Sequence, residues 1–208
     1  MKTIYILICF SFLFIGFFYS ISNAFSQEGT LTNLSNNDGT SYDPHFIISG
    51  KYVYVVWTDK SSGNYFKKSS DGGKTFESTI NLSNNDGTSY DPHFIISGKY
   101  VYVVWTDLSS GNGDIYFKKS SDGGNNFEIT KNLSNELNGT GKSAKVLSLK
   151  NLVLVTWDDD SELNGGIRMK GSLDNGNSFT ISKIIGQKGD ISASSPDALL
   201  NQINGHLY

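Results

Sequence analysis

Arginine is nearly absent from this chain: Arg168 stands alone against sixteen lysines in 208 residues. A site that grips carboxylates or phosphates through several bidentate guanidinium groups cannot be assembled from it, because lysine does not reproduce that planar fork. Cysteine is just as scarce. Cys9 is the only one, and it sits inside an apolar N-terminal run without the small preceding residue of a lipoprotein site. The chain beyond it has no disulfide and must be held by packing and sheet hydrogen bonds. The three histidines, His45, His93 and His206, form no His/Cys cluster, which excludes zinc. A net charge of −3 excludes the basic footprint of a nucleic-acid-binding protein. No stretch has the period of a long amphipathic helix.

The N-terminus reads as a targeting segment. Lys2 gives a positive start, and Ile4 to Tyr19 is almost wholly apolar. That length suits a signal sequence and is short for a membrane span. Ser22-Asn23-Ala24 places small residues at −3 and −1. The expectation is a signal peptide over 1–24, cleaved after Ala24 or else kept as an anchor, and a mature chain 25–208 that is secreted or displayed on the cell surface.

The rest of the chain is organised by repetition. Asn33 to Asp59 recurs without change at Asn81 to Asp107, and a weaker copy runs from Asn132 to Asp158. Each copy is followed by an octet of the form S-x-D-x-G-x-[TNS]-F. Its aspartates, Asp71, Asp122 and Asp174, fall at a near-constant period. Within the second copy, alternating β-branched and aromatic residues predict strands over 92–96, 100–106, 115–120 and 127–133, separated by Gly, Asn and Ser clusters. Both faces of the second strand are apolar, so it should be covered on both sides. Four antiparallel strands per repeat, in series, predict the blades of a β-propeller. The fold class is therefore all-β, with repeats at about 34–80, 81–131 and 132–185 and a partial one at 186–208. Gly29 to Leu34 aligns with a fourth strand, and Gly205-His206-Leu207-Tyr208 with the start of a second. The expectation is about three complete blades, incomplete ones at each end, and open edges prone to self-association.

The octets carry a resemblance. Ser69, Asp71, Gly73, Thr75 and Phe76 match in full the Asp-box, or BNR, repeat of the sialidase-like β-propeller superfamily. Ser120, Asp122, Gly124 and Phe127 match with Asn126 in the threonine place; Ser172, Asp174, Gly176 and Phe179 match with Ser178 there. The resemblance covers roughly Leu31 to Tyr208. It implies a sialidase-like propeller in which the box marks the fold, the aspartate accepting hydrogen bonds from its own turn. It also implies an enzyme alternative. Sialidases bind a substrate carboxylate with three arginines, use a tyrosine–glutamate pair as nucleophile and an aspartate as acid/base. With Arg168 alone and no such pair to place, the chain reads as a non-catalytic binding or adhesion module for glycans or proteins. A fragment of an exo-α-sialidase-like hydrolase is the alternative.

In a four-stranded meander the boxes share one end of the blade with the Ser-Gly-Lys turns, and the long polar loops lie at the other. Binding residues concentrate on such loops. The ligand-face candidates are Tyr42, Asp43, Asp59, Tyr90, Asp91, Asp107 and Asp114, expected on an acidic loop surface with aromatic rings for sugars. Asp158, Asp159 and Asp160 are oxygen-rich candidates for Ca²⁺; no other cofactor is indicated. Sequons at Asn33, Asn81, Asn132 and Asn138 are glycosylation candidates, although the repeated Asn-Leu-Ser also reads as strand-end chemistry.

Overall fold

The structure, a computed structural model, describes residues 32–37, 39–60, 62–85, 88–135, 140–161 and 165–187. The expected signal segment over 1–24, residues 29–31 of the expected fourth strand, the expected partial repeat beyond 187 and Asn138 lie outside these residues. The chain divides into two compact units, 1–34 and 35–208. Only 32–34 of the first are described, and the strands all belong to the second. Among the described residues no helix is long and apolar enough to cross a membrane.

Among the described residues twelve strands form three four-stranded sheets, each an antiparallel meander in chain order. The first sheet is β1 (Ser41–Ser49), β2 (Tyr52–Asp59), β3 (Gly63–Ser69) and β4 (Ile80–Asn81). The second is β5 (Ser89–Ser97), β6 (Tyr100–Asp107), β7 (Asp114–Ser120) and β8 (Lys131–Asn132). The third is β9 (Gly141–Leu149), β10 (Leu152–Asp159), β11 (Gly166–Ser172) and β12 (Ile181–Gln187). The expected fourth strand over 127–133 is thus reduced to Lys131–Asn132. Phe127 lies outside the ladder, with its ring edge-on to Phe66 of the preceding sheet at 5.0 Å. The Asn-Leu-Ser run then fastens the short strand. Ser83 and Ser134 accept from the amides of Asn64 and Ile115 at 2.9 Å.

The first strand of each sheet carries an interruption. Register shifts between Tyr42 and His45, between Tyr90 and His93, and at the matching point of β9. Asp43, Asp91 and Ser143 occupy that point with φ of 49°, 54° and 56°. These are bulges. Pro44 and Pro92, which would break an unbulged ladder, are accommodated there because a bulge leaves backbone donors unpaired. The strand β5 neighbours both β1 and β9, and it also lies against β2 and β3, as β9 does against β6 and β7.

Sheets pack face to face. The Tyr54, Val56, Phe66 and Leu82 face of the first sheet meets Phe94, Val101, Val103 and Trp105 of the second. The opposite face of the second, with Tyr102, Val104 and Phe117, meets Val146, Val153, Val155 and Trp157 of the third. Burial on both faces explains why β6 is apolar on both.

Two further contacts index one sheet on the next. Phe117 receives Phe179 edge-on at 4.9 Å, repeating the Phe66–Phe127 contact. A Cβ on Gly124 would meet the Phe66 ring at 2.7 Å, and one on Gly176 the Phe117 ring at 2.8 Å. Lysines finish the seam. Lys68 reaches the Asn125 carbonyl oxygen at 2.5 Å while pairing with Glu77 at 3.5 Å. Lys119 reaches Asn177 at 2.5 Å and pairs with Glu128 at 3.5 Å.

Gly123 and Gly124 separate two causes of glycine selection. Both have left-handed φ, but a Cβ on Gly123 meets nothing within 4 Å. Gly123→Ala should cost about 1 kcal/mol of backbone strain; Gly124→Ala should cost about 2 kcal/mol more, from the clash with Phe66. Equal losses in denaturant melts of the two variants would show that the ring contact contributes nothing.

Candidate functional site

The boxes are self-contained turns. In the first, Ser69 Oγ donates to Asp71 Oδ1 at 2.8 Å and accepts from the Gly73 amide at 2.9 Å. The Thr75 amide donates to Asp71 Oδ1 at 2.9 Å and its hydroxyl to Oδ2 at 2.6 Å. Ser120, Asp122 and Gly124 repeat this with Asn126, whose Nδ2 donates to Oδ2 at 2.8 Å. Ser172, Asp174 and Gly176 repeat it with Ser178 at 2.7 Å. The threonine place therefore needs only a short side-chain donor. The donors hold the carboxylates well below their ordinary range. Asp71 falls to about 2, first through the Thr75 hydroxyl, and Asp122 to about 2, first through the Asn126 amide; Asp174 falls further, first through Ser172. Phe76, Phe127 and Phe179 are half-buried beneath their turns. The turns lie at the end of the β1–β2 hairpins, with the amides of Gly72, Gly123 and Asn175 donating to Lys51, Lys99 and Asn151 at 2.7 to 2.9 Å. All donor capacity around these carboxylates is spent within the turn.

The opposite end differs from the expected acidic surface. Asp59, Asp107 and Asp114 are 1 %, 0 % and 8 % exposed. They are strand ends rather than loop residues, and Asp59 and Asp107 tie the loops down. Asp107 accepts from Asn85 at 2.7 Å, Ser89 at 2.6 Å, Trp105 Nε1 at 3.2 Å and the Ser109 amide at 2.9 Å. Burial pushes its carboxyl up, but the donors of Ser109, Ser89 and Asn85 outweigh burial and hold it below the ordinary range. Asp59 accepts likewise from Asn37, Ser41 and Ser62. Asp114 accepts from Ser134 at 3.1 Å. The recurring Asn-x-x-x-Ser before each aspartate's partner strand, Asn37/Ser41 and Asn85/Ser89, was the legible signal for this clamp.

The calcium candidates do not converge. Asp159 is buried and pairs with Arg168, and it also accepts from the Ser161 amide at 2.9 Å. Asp160 accepts from the Thr140 amide at 3.2 Å and pairs with Lys142 at 3.8 Å. Asp158 is 7 % exposed and lies on the other face of the strand from Asp159. Among the described residues no three His, Cys, Asp or Glu side chains gather as a metal site. The sequon asparagines Asn81 and Asn132 are half-buried turn formers, accepting from the amides of Asn84 and Ser134 at 2.9 Å; Asn33 is exposed.

What the fold does bring together is the bulge end of the inner strands. Asp43 is exposed; Tyr42, Tyr90 and Asp91 are half-buried. The Tyr90 hydroxyl is pushed up by burial first, then by the charges of Asp91 and Asp160 and by Tyr42. Tyr42-Asp43 and Tyr90-Asp91 thus sit at the bulges of neighbouring strands, β1 and β5. One step deeper, His45 and His93 stand edge to face at 6.1 Å, and the Val146 amide donates to His93 Nδ1 at 3.3 Å. This histidine pair was not identified from sequence; its equivalent position in β9 is Lys145. The bulge turns Asp43 and Asp91 outward, which is how one strand offers both a ring and a carboxylate at the same end.

No protein-family model and no curated protein sequence matches the chain. Solved structures do. A Dyadobacter fermentans protein of unknown function superposes with TM-score 0.53 at 16 % identity, over 70 % of this chain and 51 % of that one. An endo-arabinase from Bacteroides thetaiotaomicron gives 0.52 at 13 %, over 85 % and 72 %. A Trypanosoma rangeli sialidase gives 0.54 at 13 %, over 81 % and 33 %. The chain thus spans about half the length of the first and a third of the sialidase. These likenesses fix the fold: all-β, with the three four-stranded sheets of the described residues matching blades of a sialidase-like β-propeller.

Two expectations follow. Asp107→Asn should cost about 1–3 kcal/mol, because it turns one acceptor of a buried, fully used carboxylate into a donor facing donors; an unchanged melting temperature would place Asp107 at the surface after all. The boxes should also register in acid. Their aspartates are depressed when folded, so their stabilisation is complete above the ordinary value of 3.8 and is lost as pH falls toward about 2. The melting temperature should decline through that window, and a variant with Asn at Asp71, Asp122 and Asp174 should decline less. Parallel curves for the two proteins would remove the boxes from the acid response.

Proposed function

We propose that this chain is an exported Asp-box propeller that binds glycans, without catalysis, at the bulge end of its inner strands. The observation that carries the reading is the placement of Tyr42-Asp43 and Tyr90-Asp91 at the bulges of the neighbouring strands β1 and β5. Half-buried phenol rings give a sugar an apolar face to stack on, and neighbouring carboxylates accept from its hydroxyls. Two sheets offer the same pair of side chains, so one chain holds two equivalent weak contacts whose effects multiply when both engage. The apolar N-terminal run supports export, and the three octets with one hydrogen-bond pattern support the Asp-box assignment.

The non-catalytic part rests on two features. Arg168 is committed to the buried Asp159, so the chain's single guanidinium is engaged within the third sheet. Among the described residues the glutamates, Glu77 and Glu128, pair with Lys68 and Lys119 at the seam between sheets, which does not supply the tyrosine–glutamate nucleophile of a sialidase at the bulge end. A glycan array and a sialoside hydrolysis assay on one secreted preparation, with and without Ca²⁺, test the proposal. Capture without turnover is expected, with Tyr90→Ala weakening it about tenfold, equivalent to about 1.4 kcal/mol. Turnover of a sialoside, or capture indifferent to both Tyr42→Ala and Tyr90→Ala, would overturn it.

A further inference from the structure

The exact duplication supplies an internal control for burial. Phe46 and Phe94 occupy the same position of identical strands, yet Phe46 is 69 % exposed and Phe94 4 %. Ile48 is 64 % exposed while its equivalent Ile96 packs against the core. Val53 and Val55 are half-buried, whereas Val101 and Val103 are fully buried. Gly124 and Gly176 each receive a phenylalanine ring from the preceding sheet, while a Cβ on Gly73 would meet only Val53, at 3.8 Å. The leading face of the first sheet is therefore an interface of known partner type with no partner seated on it among the described residues. On the second sheet the same side chains are covered by the trailing face of a blade, through Tyr54, Val56, Phe66 and Leu82.

We propose that this face docks the trailing face of the third sheet of a second copy of the chain, head to tail. That trailing face bears Ile167, Met169 and Ile181, all half-buried, around Leu154. Met169 stands where Phe66 and Phe117 stand in the other two sheets, so it is the side chain that would lie over Gly73. Lys183 pairs with Met169 as Lys131 pairs with Phe117. Lys131 donates to the Gly176 and Asn177 carbonyls of the next box, and exposed Lys183 is positioned to reach the same carbonyls, of Gly73 and Lys74, in the second copy. Gly171 replaces the lysine found at Lys68 and Lys119, and the first box carries Lys74 where the others have Asn125 and Asn177. The pairing thus removes the one ammonium that would point at Lys74. A head-to-tail contact closes into a ring when the rotation permits. The described sheets of two copies number six, within the range of about four to eight at which propellers close.

Light scattering on the mature secreted chain after size exclusion tests this, with circular dichroism to confirm that each variant is folded. The expected mass is that of two chains. Phe46→Lys and Met169→Lys should each halve it, and Ile129→Lys, 89 % exposed in native form and on neither face, should not. Mixing the Phe46→Lys and Met169→Lys chains should restore the double mass, because one intact leading face then meets one intact trailing face. A wild-type monomer overturns the proposal. So does a dimer that survives Phe46→Lys, or one broken by Phe46→Lys but untouched by Met169→Lys, which would indicate a head-to-head contact. None of these outcomes depends on whether a glycan binds.

Discussion

The structure depends on how closely one sheet can approach the next. A phenylalanine edge sits where a Cβ would be, over the box glycine of the following blade. Everything else at the seam follows from that approach. The box phenylalanine can slide beneath the previous third strand, and the lysine ammonium can reach a side-chain oxygen across the gap. Sheet packing of this kind is dominated by area and shape, so the glycine acts as a spacer gauge. The hydrogen-bonded aspartate fixes the turn that holds the gauge in place.

Much of this was legible in the sequence. Alternation, the turn residues and the period located the strands, the meander and the boxes, because these are local properties that one repeat encodes by itself. The inner bulge was partly visible in Pro44 and Pro92, which a regular ladder would not tolerate. Burial at the loop end left only one trace, the recurring Asn37/Ser41 and Asn85/Ser89 pair, which nothing local ties to Asp59 and Asp107. Asp59 and Asp107 follow a tryptophan and precede a polar loop, which reads as surface. What buries them is a crossover strand some twenty residues earlier, whose asparagine and serine reach across. Pairings over that distance leave no period. The same limit explains the three consecutive aspartates: Asp158, Asp159 and Asp160 are adjacent in sequence, yet β-strand alternation sends neighbours to opposite faces. One joins an arginine and another a lysine.

The candidate site obeys the same division of labour. A set of inner strands holds the rings of Tyr42 and Tyr90, and the bulges carry Asp43, exposed, and Asp91, half-buried, at points where a regular strand would alternate from face to face. Left-handed backbone at a non-glycine residue carries a cost that the surrounding structure must absorb. Aspartate is among the residues that tolerate it best. The two ends of the blade thus use one side-chain type for opposite purposes. At the box end and in the loop clamps, aspartate is saturated by donors of its own protein; at the bulges it is turned toward solvent.

Exact repetition also sets a problem for the folding chain. The hairpin β1–β2 and the hairpin β5–β6 are the same sequence, so every pairing available to one strand is energetically available to its twin. Nothing in the side chains distinguishes β1 beside β2 from β1 beside β6. The distinction is left to chain connectivity. A two-residue turn closes the cognate hairpin, whereas the crossed pairing must close a loop of roughly fifty residues, at an added entropic cost of about 2–3 kcal/mol. Between two molecules that difference disappears, since an intermolecular pairing has no short turn to favour it. Concentrated, newly made chains therefore meet partners as well matched as their own neighbours. The duplicated segment makes strand exchange between copies a competitor to folding within one.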